Sequence, residues 1–465
     1  MQAFPTEILQ HIFTFLPVQD IVRVRKVCRS FQQTSQDRHV WSTVYKYCRL
    51  PRLPGPFLGH TALYLENSLM QSAELQRNWA SSPQVIVKPL YTQTFQWPLS
   101  DDICGSLLIG PWLIVAASRH IICYNVDSGN GDGSVMYDAS QFRIYAFSAV
   151  GAQYSGEQHS AYLIVQEMDD SKRVVKMLQL LIPDHQSTNI PTLEFLSEQQ
   201  VNFLHRFGAT VGPRCFAAAP MYLEDDHTNV YVMDTKHRRR LYLPARFESM
   251  HPVNQPILPP GSAFSTLLVC SSHVLVLRMV PRRIRYCSSF VNAFQLPSDE
   301  DVEHGTSTLQ MTHSGVFPDI GFMDVTCLRD SVVDGTTGST VLTLIGHARA
   351  PTYQASRTVD IVRLELTTDG RILMPECRTL VKLDYGFTIH LQCFQGCGRG
   401  LLEGFMSSKR RFAISVDDTD QDSPIIISNI ETSPRAQILG FDGIGGRICQ
   451  RSRESGMELE VVNFI

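Results

Sequence analysis

The sequence predicts a multidomain protein, with a small all-α head and a helical linker followed by a large all-β body. Two patterns support this division. Apolar residues recur at helical spacing through residues 1–50, whereas after about Pro83 short apolar runs alternate with turn residues such as Gly, Asn and Asp. With 465 residues, the chain is also long enough for two or three domains. We therefore place the head at residues 1–50, the linker at 51–84 and the body at 85–465.

The composition is that of an ordinary globular protein, with 43% hydrophobic and 18% charged residues. The formal net charge of −4 provides no broad positive field, so we expect no nucleic-acid partner. The longest uncharged run, residues 103–118, is shorter than the ~20 residues that a membrane span needs, so we expect no membrane partner. Twelve scattered cysteines favour reduced thiols, which predicts an intracellular protein of the cytoplasm and/or the nucleus.

Three short helices are predicted in the head. Pro5 and Thr6 begin the first helix, and Pro17 ends it. Asp20 is a suitable N-cap for the second helix. The apolar positions of the three helices are, in order, Ile8, Leu9, Ile12, Phe15 and Leu16, then Ile21, Val24, Cys28 and Phe31, then Val40, Trp41, Val44 and Tyr45.

These apolar side chains are too numerous for so small a head to bury. A unit of about 45 residues is close to the lower limit, ~40 residues, for a domain that folds alone. Part of the apolar surface is therefore expected to contact a partner. The alternative is that the head is an ordinary helical subdomain, whose apolar residues pack on one another or on the β body.

The ordered set of residues from Phe4 to Trp41 resembles the F-box. That family has a Leu-Pro-x-Glu start, a later Arg-x-Val segment and a closing Trp, and here Phe4 replaces the usual Leu while keeping its apolar bulk. The matching positions are Pro5, Glu7, Ile8, Ile12, Leu16, Ile21, Val27, Cys28, Arg29, Phe31 and Trp41.

The resemblance implies that the head binds the Skp-type adaptor of a cullin–RING ubiquitin ligase and, through it, a cullin scaffold. Arg23, Arg25, Lys26 and Arg29 would add electrostatic steering toward an acidic adaptor, although such residues more often form a solvated helix face. The residues expected to contact the adaptor are Phe4, Pro5, Ile8, Leu9, Ile12, Phe15, Leu16, Ile21, Val24, Val27, Cys28, Phe31 and Trp41.

The linker ends in QRNW, which is similar to the helical linker of F-box receptors that carry WD-repeat propellers. In that role Trp79 would fix the orientation of the head relative to the body. The alternative is plain core packing of Trp79, and both roles can hold.

The body is predicted to be a β-propeller. At ~40–50 residues per blade, seven blades fit best, although six or eight remain open. The final strand, MELEVVNFI, is expected to close the ring by pairing with a segment just after residue 84, such as VIVKPLY. No Trp-Asp dipeptide occurs, so the body looks like a highly diverged WD-repeat propeller. A last strand covers residues 459–464, and the earlier strand clusters centre near Leu113, Leu163, Tyr231, Leu267, Leu342 and Ala413.

Three basic clusters stand out in the body: KHRRR (236–240), PRRIR (281–285) and SKRR (408–411). In F-box receptors that read phosphorylated substrates, arginines on the propeller bind phosphate through two parallel hydrogen bonds. The alternative is that each cluster is a solvated hairpin turn. The candidate substrate-binding residues are Arg238, Arg239, Arg240, Arg282, Arg283, Arg410 and Arg411.

The sequence contains no motif for catalysis or for a metal or cofactor site. It lacks Gly-x-Ser-x-Gly, His-Glu-x-x-His and a phosphate loop. The acidic runs DSGNGDG (127–133) and DDTDQD (417–422) lack EF-hand spacing, and CFQGC (393–397) has no second cysteine pair. We therefore expect no enzyme, no metal and no cofactor.

Together, these patterns predict the substrate-recognition subunit of an SCF-type ubiquitin ligase. The head would dock the adaptor, and the propeller would recruit an unidentified protein substrate, phosphorylated or not, to raise its effective concentration near the ligase. Two alternatives stay open. One is a scaffold that binds the adaptor without delivering a substrate, and the other is an enzyme whose site lies in the propeller channel.

Overall fold

A computed structural model describes most of the chain. The described residues are 4–48, 50–52, 56, 58–79, 86–96, 103–128, 132–139, 141–155, 158–169, 172–183, 189–200, 207–212, 214–220, 230–243, 264–270, 272–282, 286–298, 300–301, 307–318, 323–333, 339–347, 357–367, 371–373, 376–383, 389–393, 398–404, 411–416, 425–433, 436–451 and 458–465.

The head is built from short helices, and a longer helix leads from it to the body. Within the described residues, no helix is both long enough and apolar enough to cross a membrane. The helices are α1 (Thr6–Thr14), α2 (Val18–Arg23), a 3₁₀ turn (Val24–Lys26), α3 (Arg29–Ser35), α4 (Arg38–Tyr47) and α5 (Ala62–Trp79).

The predicted second helix is divided into three pieces, and Asp20 is not its N-cap. Helix α2 begins at Val18 because the Pro17 carbonyl accepts hydrogen bonds from the backbone N–H groups of Asp20 and Ile21, at 2.8 and 3.2 Å. Asp20 therefore lies in the first turn of the helix. Cys28 is extended (φ −162°, ψ 166°), and an extended residue interrupts the helical hydrogen bonds.

Seven sheets follow the helices; six have four strands, and the seventh has a fifth strand, the short β1 (Ile86–Val87). The innermost strand of each sheet contacts the innermost strand of the next around a closed ring. This arrangement is a seven-bladed β-propeller, and each predicted strand cluster falls in a different blade, which confirms the seven-blade prediction. The strands of blades 1 to 3 are β3 (Ile103–Ile109), β4 (Trp112–Ala117), β5 (His120–Asn125) and β6 (Ser134–Asp138); β7 (Arg143–Ser155), β8 (Gln158–Met168), β9 (Arg173–Ile182) and β10 (Thr192–Gln200); β11 (Phe207–Val211), β12 (Cys215–Pro220), β13 (Tyr231–Asp234) and β14 (Arg239–Leu241).

The remaining four blades complete the ring, and the innermost strand comes first in each of them. The strands of blades 4 to 7 are β15 (Phe264–Val269), β16 (His273–Arg282), β17 (Tyr286–Gln295) and β18 (Gln310–Pro318); β19 (Met323–Val333), β20 (Thr340–His347), β21 (Arg357–Leu366) and β22 (Glu376–Leu383); β23 (Ile389–Cys393), β24 (Arg399–Gly404), β25 (Arg411–Val416) and β26 (Ile425–Ile430); β27 (Gln437–Asp442), β28 (Arg447–Arg451), β29 (Glu458–Asn463) and β2 (Tyr91–Gln96).

The first and last strands of the body close the ring together. Strand β2 pairs antiparallel with β29, and Phe95 lies directly opposite Leu459 in one buried cluster. The closing segment is therefore Tyr91–Gln96, slightly later than the predicted VIVKPLY. The short strand β1 (Ile86–Val87) instead pairs in parallel with β26 of blade 6.

Helix α5 belongs to two apolar cores at once. Leu65 and Leu69 pack with the head residues around Trp41. About two to three turns later, Leu75 and Trp79 pack with apolar residues of blades 6 and 7. Because one continuous helix enters both cores, the head has a fixed orientation relative to the propeller.

Candidate functional site

Helix α1 carries two apolar faces, one buried and one exposed. Ile8, Ile12 and Phe15 project within about 60° of one another at ~100° per residue, and they are 48%, 44% and 76% exposed. Leu9 and Phe13 lie on the neighbouring face and are buried. A helix needs only one apolar face to pack on its own domain, so the second face is available to a partner.

Two residues before the helix extend the exposed face. Phe4 is 65% exposed, and Pro5 is also exposed. At the other end, the His11 ring meets the Phe15 ring edge-on, at 4.9 Å between centroids. We call Phe4, Pro5, Ile8, Ile12 and Phe15 the docking face.

Contacts on the other side of α1 hold the docking face in place. The Phe13 ring meets the Phe31 ring of α3 edge-on, at 5.5 Å between centroids. The Gln10 side chain donates a hydrogen bond to the Asp37 carboxylate at 3.0 Å. Asp37 also caps α4, because its other oxygen accepts from the His39 backbone N–H at 2.7 Å. The apolar surface is therefore presented by a helix with defined neighbours.

The structure separates the predicted adaptor contacts into a surface set and a core set. Val27 and Cys28 are exposed, as is the docking face, whereas Leu16, Val24 and Phe31 are partly buried. Leu9, Ile21 and Trp41 are inside the head and are corrected to core residues, since they are at most 3% exposed and cannot touch a partner directly. The sequence could not separate them because Ile8 and Leu9 are both apolar at adjacent positions.

The basic residues of the head also divide into two kinds. Arg23, Lys26 and Arg29 are exposed and remain available for steering. Arg25 is structural: its guanidinium makes two hydrogen bonds, at 2.7 and 2.6 Å, to the carboxylate of Glu66 on α5 and also stacks over Trp41. The predicted steering role of Arg25 is therefore corrected, because its charge is already paired within the head.

The linker tryptophan is both a core residue and a joint. The Trp79 ring stacks on Phe441 of β27, at 6.0 Å between centroids. Its carbonyl accepts a hydrogen bond from the Ser428 hydroxyl of β26. Nearby, the Ser415 hydroxyl of β25 donates to the Gln76 side chain at 2.6 Å. These contacts tie the end of α5 to three strands of two blades.

The basic cluster KHRRR forms the turn between β13 and β14, as its hairpin interpretation predicts. Arg238 and Arg239 are exposed, and Arg240 is partly buried. The Arg240 guanidinium lies between the Tyr231 and Tyr242 rings, 5.2 and 5.1 Å from their centroids. These tyrosines were not predicted from the sequence, although three residues separate each of them from the turn, one tyrosine on either side.

The other arginine candidates either are buried or have side chains that are not described in the structure. Arg411 is buried, and it donates to Glu403 at 2.8 Å and to the Ser433 carbonyl at 3.0 Å. Arg411 is therefore corrected to a core residue, because its guanidinium already makes hydrogen bonds inside blade 6 and to the segment that leads into blade 7. Arg283 and Arg410 lie outside the described residues, and Arg282 ends β16 with a side chain that is not described.

The acidic runs and the cysteine pair of the body are not expected to bind a metal ion. Among the described residues, no group of three or more His, Cys, Asp or Glu side chains could hold a metal ion. The run DDTDQD and residues 394–397 of CFQGC lie outside the described residues.

The fold and the docking face define a class of protein, in which a small helical unit with an exposed apolar face is carried on a seven-bladed propeller. Residues 1–47 match the F-box-like family. Over 55 residues the chain is 40% identical to F-box only protein 24 from Homo sapiens, a match that spans 11% of this chain and only 9% of that protein's length. The chain thus has an F-box-like segment at its N-terminus with the propeller behind it, which confirms the resemblance.

Solved structures resemble the chain only distantly. Drosophila Plexin A, in complex with Semaphorin 1b, is 9% identical with a TM-score of 0.37, over 82% of this chain and 88% of that chain. A putative 6-phosphogluconolactonase from Bacteroides uniformis is 13% identical with a TM-score of 0.36, over 76% and 89%. An apocarotenoid oxygenase from Synechocystis is 7% identical with a TM-score of 0.34, over 71% of each chain. At such scores, the likenesses carry no argument about activity.

Proposed function

We propose that this protein is the substrate-recognition subunit of an SCF-type cullin–RING ubiquitin ligase. The observation that carries the proposal is the docking face, an exposed apolar surface within a segment that matches the F-box-like family. A Skp-type adaptor would cover this face and connect the protein to a cullin. The ligase would act in the cytoplasm or the nucleus.

The energetics are consistent with specific docking. Covering a half-exposed Ile or Phe side chain contributes roughly 1–2 kcal/mol. The docking face would therefore supply on the order of 5–8 kcal/mol, which is comparable to the ~4–15 kcal/mol lost on association. Val27, Cys28 and the exposed basic residues would add contact area and steering. Such a partner would need to fit the whole face to bind tightly.

The propeller would recruit the substrate, and the joint at Trp79 supports this division of labour. A substrate held at a fixed orientation to the adaptor has a high effective concentration near the ubiquitin-charged enzyme. The proposed role requires no catalytic residue in this chain.

Co-purification with a Skp-type adaptor tests the docking step. The double variant Ile8→Asp/Ile12→Asp places two carboxylates on the docking face, and we expect it to lose the adaptor because buried unpaired charges are costly. The matched control is Ile86→Asp/Ile190→Asp, since those isoleucines are 55% and 47% exposed but lie on the propeller. The control should retain the adaptor. Equal binding by both variants, or no binding by the native chain, would contradict the proposal.

A second assay separates a substrate receptor from a scaffold. The protein is reconstituted with adaptor, cullin and ubiquitin-charging enzymes, and ubiquitin transfer to a co-purified partner is measured. Transfer that disappears with the Ile8→Asp/Ile12→Asp variant supports substrate delivery. Adaptor binding without transfer to any bound partner would favour the scaffold.

A further inference from the structure

The guanidinium of Arg240 is held in place but has no carboxylate partner among the described residues. It lies between two tyrosine rings, and its Nε atom is buried without a hydrogen-bond acceptor in the part of the chain that is described. No ion pair links Arg240 to a carboxylate among those residues. A partly desolvated guanidinium is stabilised when a carboxylate or another planar anion accepts its hydrogen bonds.

The turn that carries Arg240 is firmly anchored. The buried Asp234 carboxylate accepts from the His237 backbone N–H at 2.7 Å, and the Thr235 hydroxyl donates to the Arg214 carbonyl at 2.9 Å. Arg238 adopts φ 53°, a left-handed conformation that costs a side-chain-bearing residue about 1–2 kcal/mol. The strained turn fixes where its arginines point.

Arg240 lies on the outermost strand of blade 3, on the side of that blade that faces blade 2. Tyr231 packs in the apolar cluster shared by blades 2 and 3. Arg240 lies opposite Met233 of the same cluster, so its side chain also projects toward blade 2, and its guanidinium lies 5.1 Å from the Tyr242 ring centroid. We call the surface between β10 and β14 the rim groove.

The opposite wall of the rim groove is the outermost strand of blade 2. Glu194 of β10 reaches across and pairs with Arg238 at 2.7 Å, and both side chains are substantially exposed. Strand β10 pairs with β9 on one side and with no described strand on the other. A sheet edge of this kind binds extended segments, because its outward backbone groups lack partners.

We propose that the rim groove binds an extended acidic segment of a partner protein. One Asp or Glu carboxylate of that segment takes both outer nitrogens of Arg240, and a second displaces Glu194 from Arg238. The charge supports this choice of occupant, since residues 236–240 are all basic or histidine and Glu194 already shows that a carboxylate fits there. The inference rests on the proposed function in one respect: it names the substrate class that the propeller would recruit.

Peptide binding to the full chain tests the proposal without the adaptor. The probe is a fluorescent decapeptide of alternating Glu and Ser, compared with its Gln counterpart and with a Gln peptide that carries phosphoserine. We expect the Glu peptide and the phosphoserine peptide to bind, the Gln peptide not to bind, and salt to weaken the binding of both acidic peptides. Arg240→Gln should weaken binding of the Glu peptide at least about tenfold. Arg77→Gln, an exposed arginine on α5, should leave it within about twofold.

A pair of glutamates on one strand gives a second readout. Glu194→Gln removes the internal competitor for Arg238 and should tighten binding about threefold or more. Glu198→Gln removes the same charge from the same strand, but Glu198 pairs with Lys172 and lies opposite Lys176 in the register, on the face toward blade 1. This control should not change the affinity. The comparison remains valid if Arg240→Gln fails to fold.

Several results would overturn the inference. They are equal binding of the Glu and Gln peptides, equal effects of Arg240→Gln and Arg77→Gln, equal effects of the two glutamate variants, or binding of the phosphoserine peptide alone. Adaptor co-purification of the Arg240→Gln variant is measured in parallel. Retained adaptor with lost peptide separates a failure of the rim groove from a failure of the proposed ligase role.

Discussion

The guanidinium of Arg399 lies over the indole ring of Trp79, 5.5 Å from the ring centroid. Arg399 begins β24 of blade 6, whereas Trp79 ends α5, and Arg399 is fully buried. Its two terminal nitrogens donate to the Gly443 carbonyl at 2.9 Å and to the Ser72 carbonyl at 2.8 Å. One side chain therefore connects α5 to the β24 strand and to the turn between β27 and β28.

Replacing Arg399 should weaken this connection. Arg399→Met leaves two buried carbonyl groups without their donor, so we expect the free energy of unfolding to fall by about 2–4 kcal/mol. The control is Arg77→Met on α5, because the Arg77 side chain is 64% exposed and its change should stay within about 0.5 kcal/mol. Denaturant unfolding measures both. Equal stability of the two variants would show that Arg399 does not hold the joint.

Gly446 should tolerate no side chain. It has φ +59°, and a Cβ atom there would lie 2.8 Å from a methyl carbon of Leu75. Gly446→Ala should therefore lower the unfolding free energy by about 1–2 kcal/mol from backbone strain, plus the cost of moving Leu75. Gly208→Ala is the matched control, since no atom lies within 4 Å of its added Cβ. A thermal melt in which both variants lose the same stability would argue against this explanation.

Phe95 and Leu459 should be energetically coupled across the ring closure. Each is at most 3% exposed, and they are direct cross-strand neighbours on β2 and β29. We expect Phe95→Ala and Leu459→Ala each to cost about 2–5 kcal/mol. The double variant should cost less than the total of the two single variants, because the second loss opens a cavity that already exists.

A distant pair provides the control for this coupling. Leu344 is buried in blade 5, so Phe95→Ala and Leu344→Ala should be additive within about 0.5 kcal/mol. Chemical unfolding of the single and double variants gives the coupling energy. Additivity for Phe95 and Leu459 as well would mean that the two strands do not act as one unit.

The stability of the propeller should depend on pH through His273. Burial lowers the pKa of His273 below its ordinary value of 6.5. The unfolded chain therefore binds a proton that the folded chain resists, so the unfolding free energy falls as the pH drops below about 6.5. His273→Gln should flatten this dependence, as measured by urea midpoints at about pH 7.5 and about pH 5.5. An unchanged slope in the variant would assign the pH dependence to other groups.

Much of the fold follows from local sequence pattern, whereas the burial of individual residues does not. Strand spacing predicts seven blades, and the structure has seven. The division of the second helix was missed because N-cap preference at Asp20 is weaker than the start imposed by Pro17. Arg411 was interpreted as part of a surface charge run because its partner, Glu403, lies on the neighbouring strand. Such pairing depends on register, which a single sequence does not specify.

The pairing that closes the ring sets an order of events during synthesis. Asn78 at the end of α5 and the Phe464 carbonyl that it contacts are 386 residues apart in the chain. At ~5–20 residues per second, a ribosome needs on the order of 20–80 s to make that stretch. During this interval the docking face already exists, while β2 still lacks its partner strand. Under the proposed function, a nascent or prematurely terminated chain would present the docking face to an adaptor before the propeller that is proposed to hold the substrate is closed.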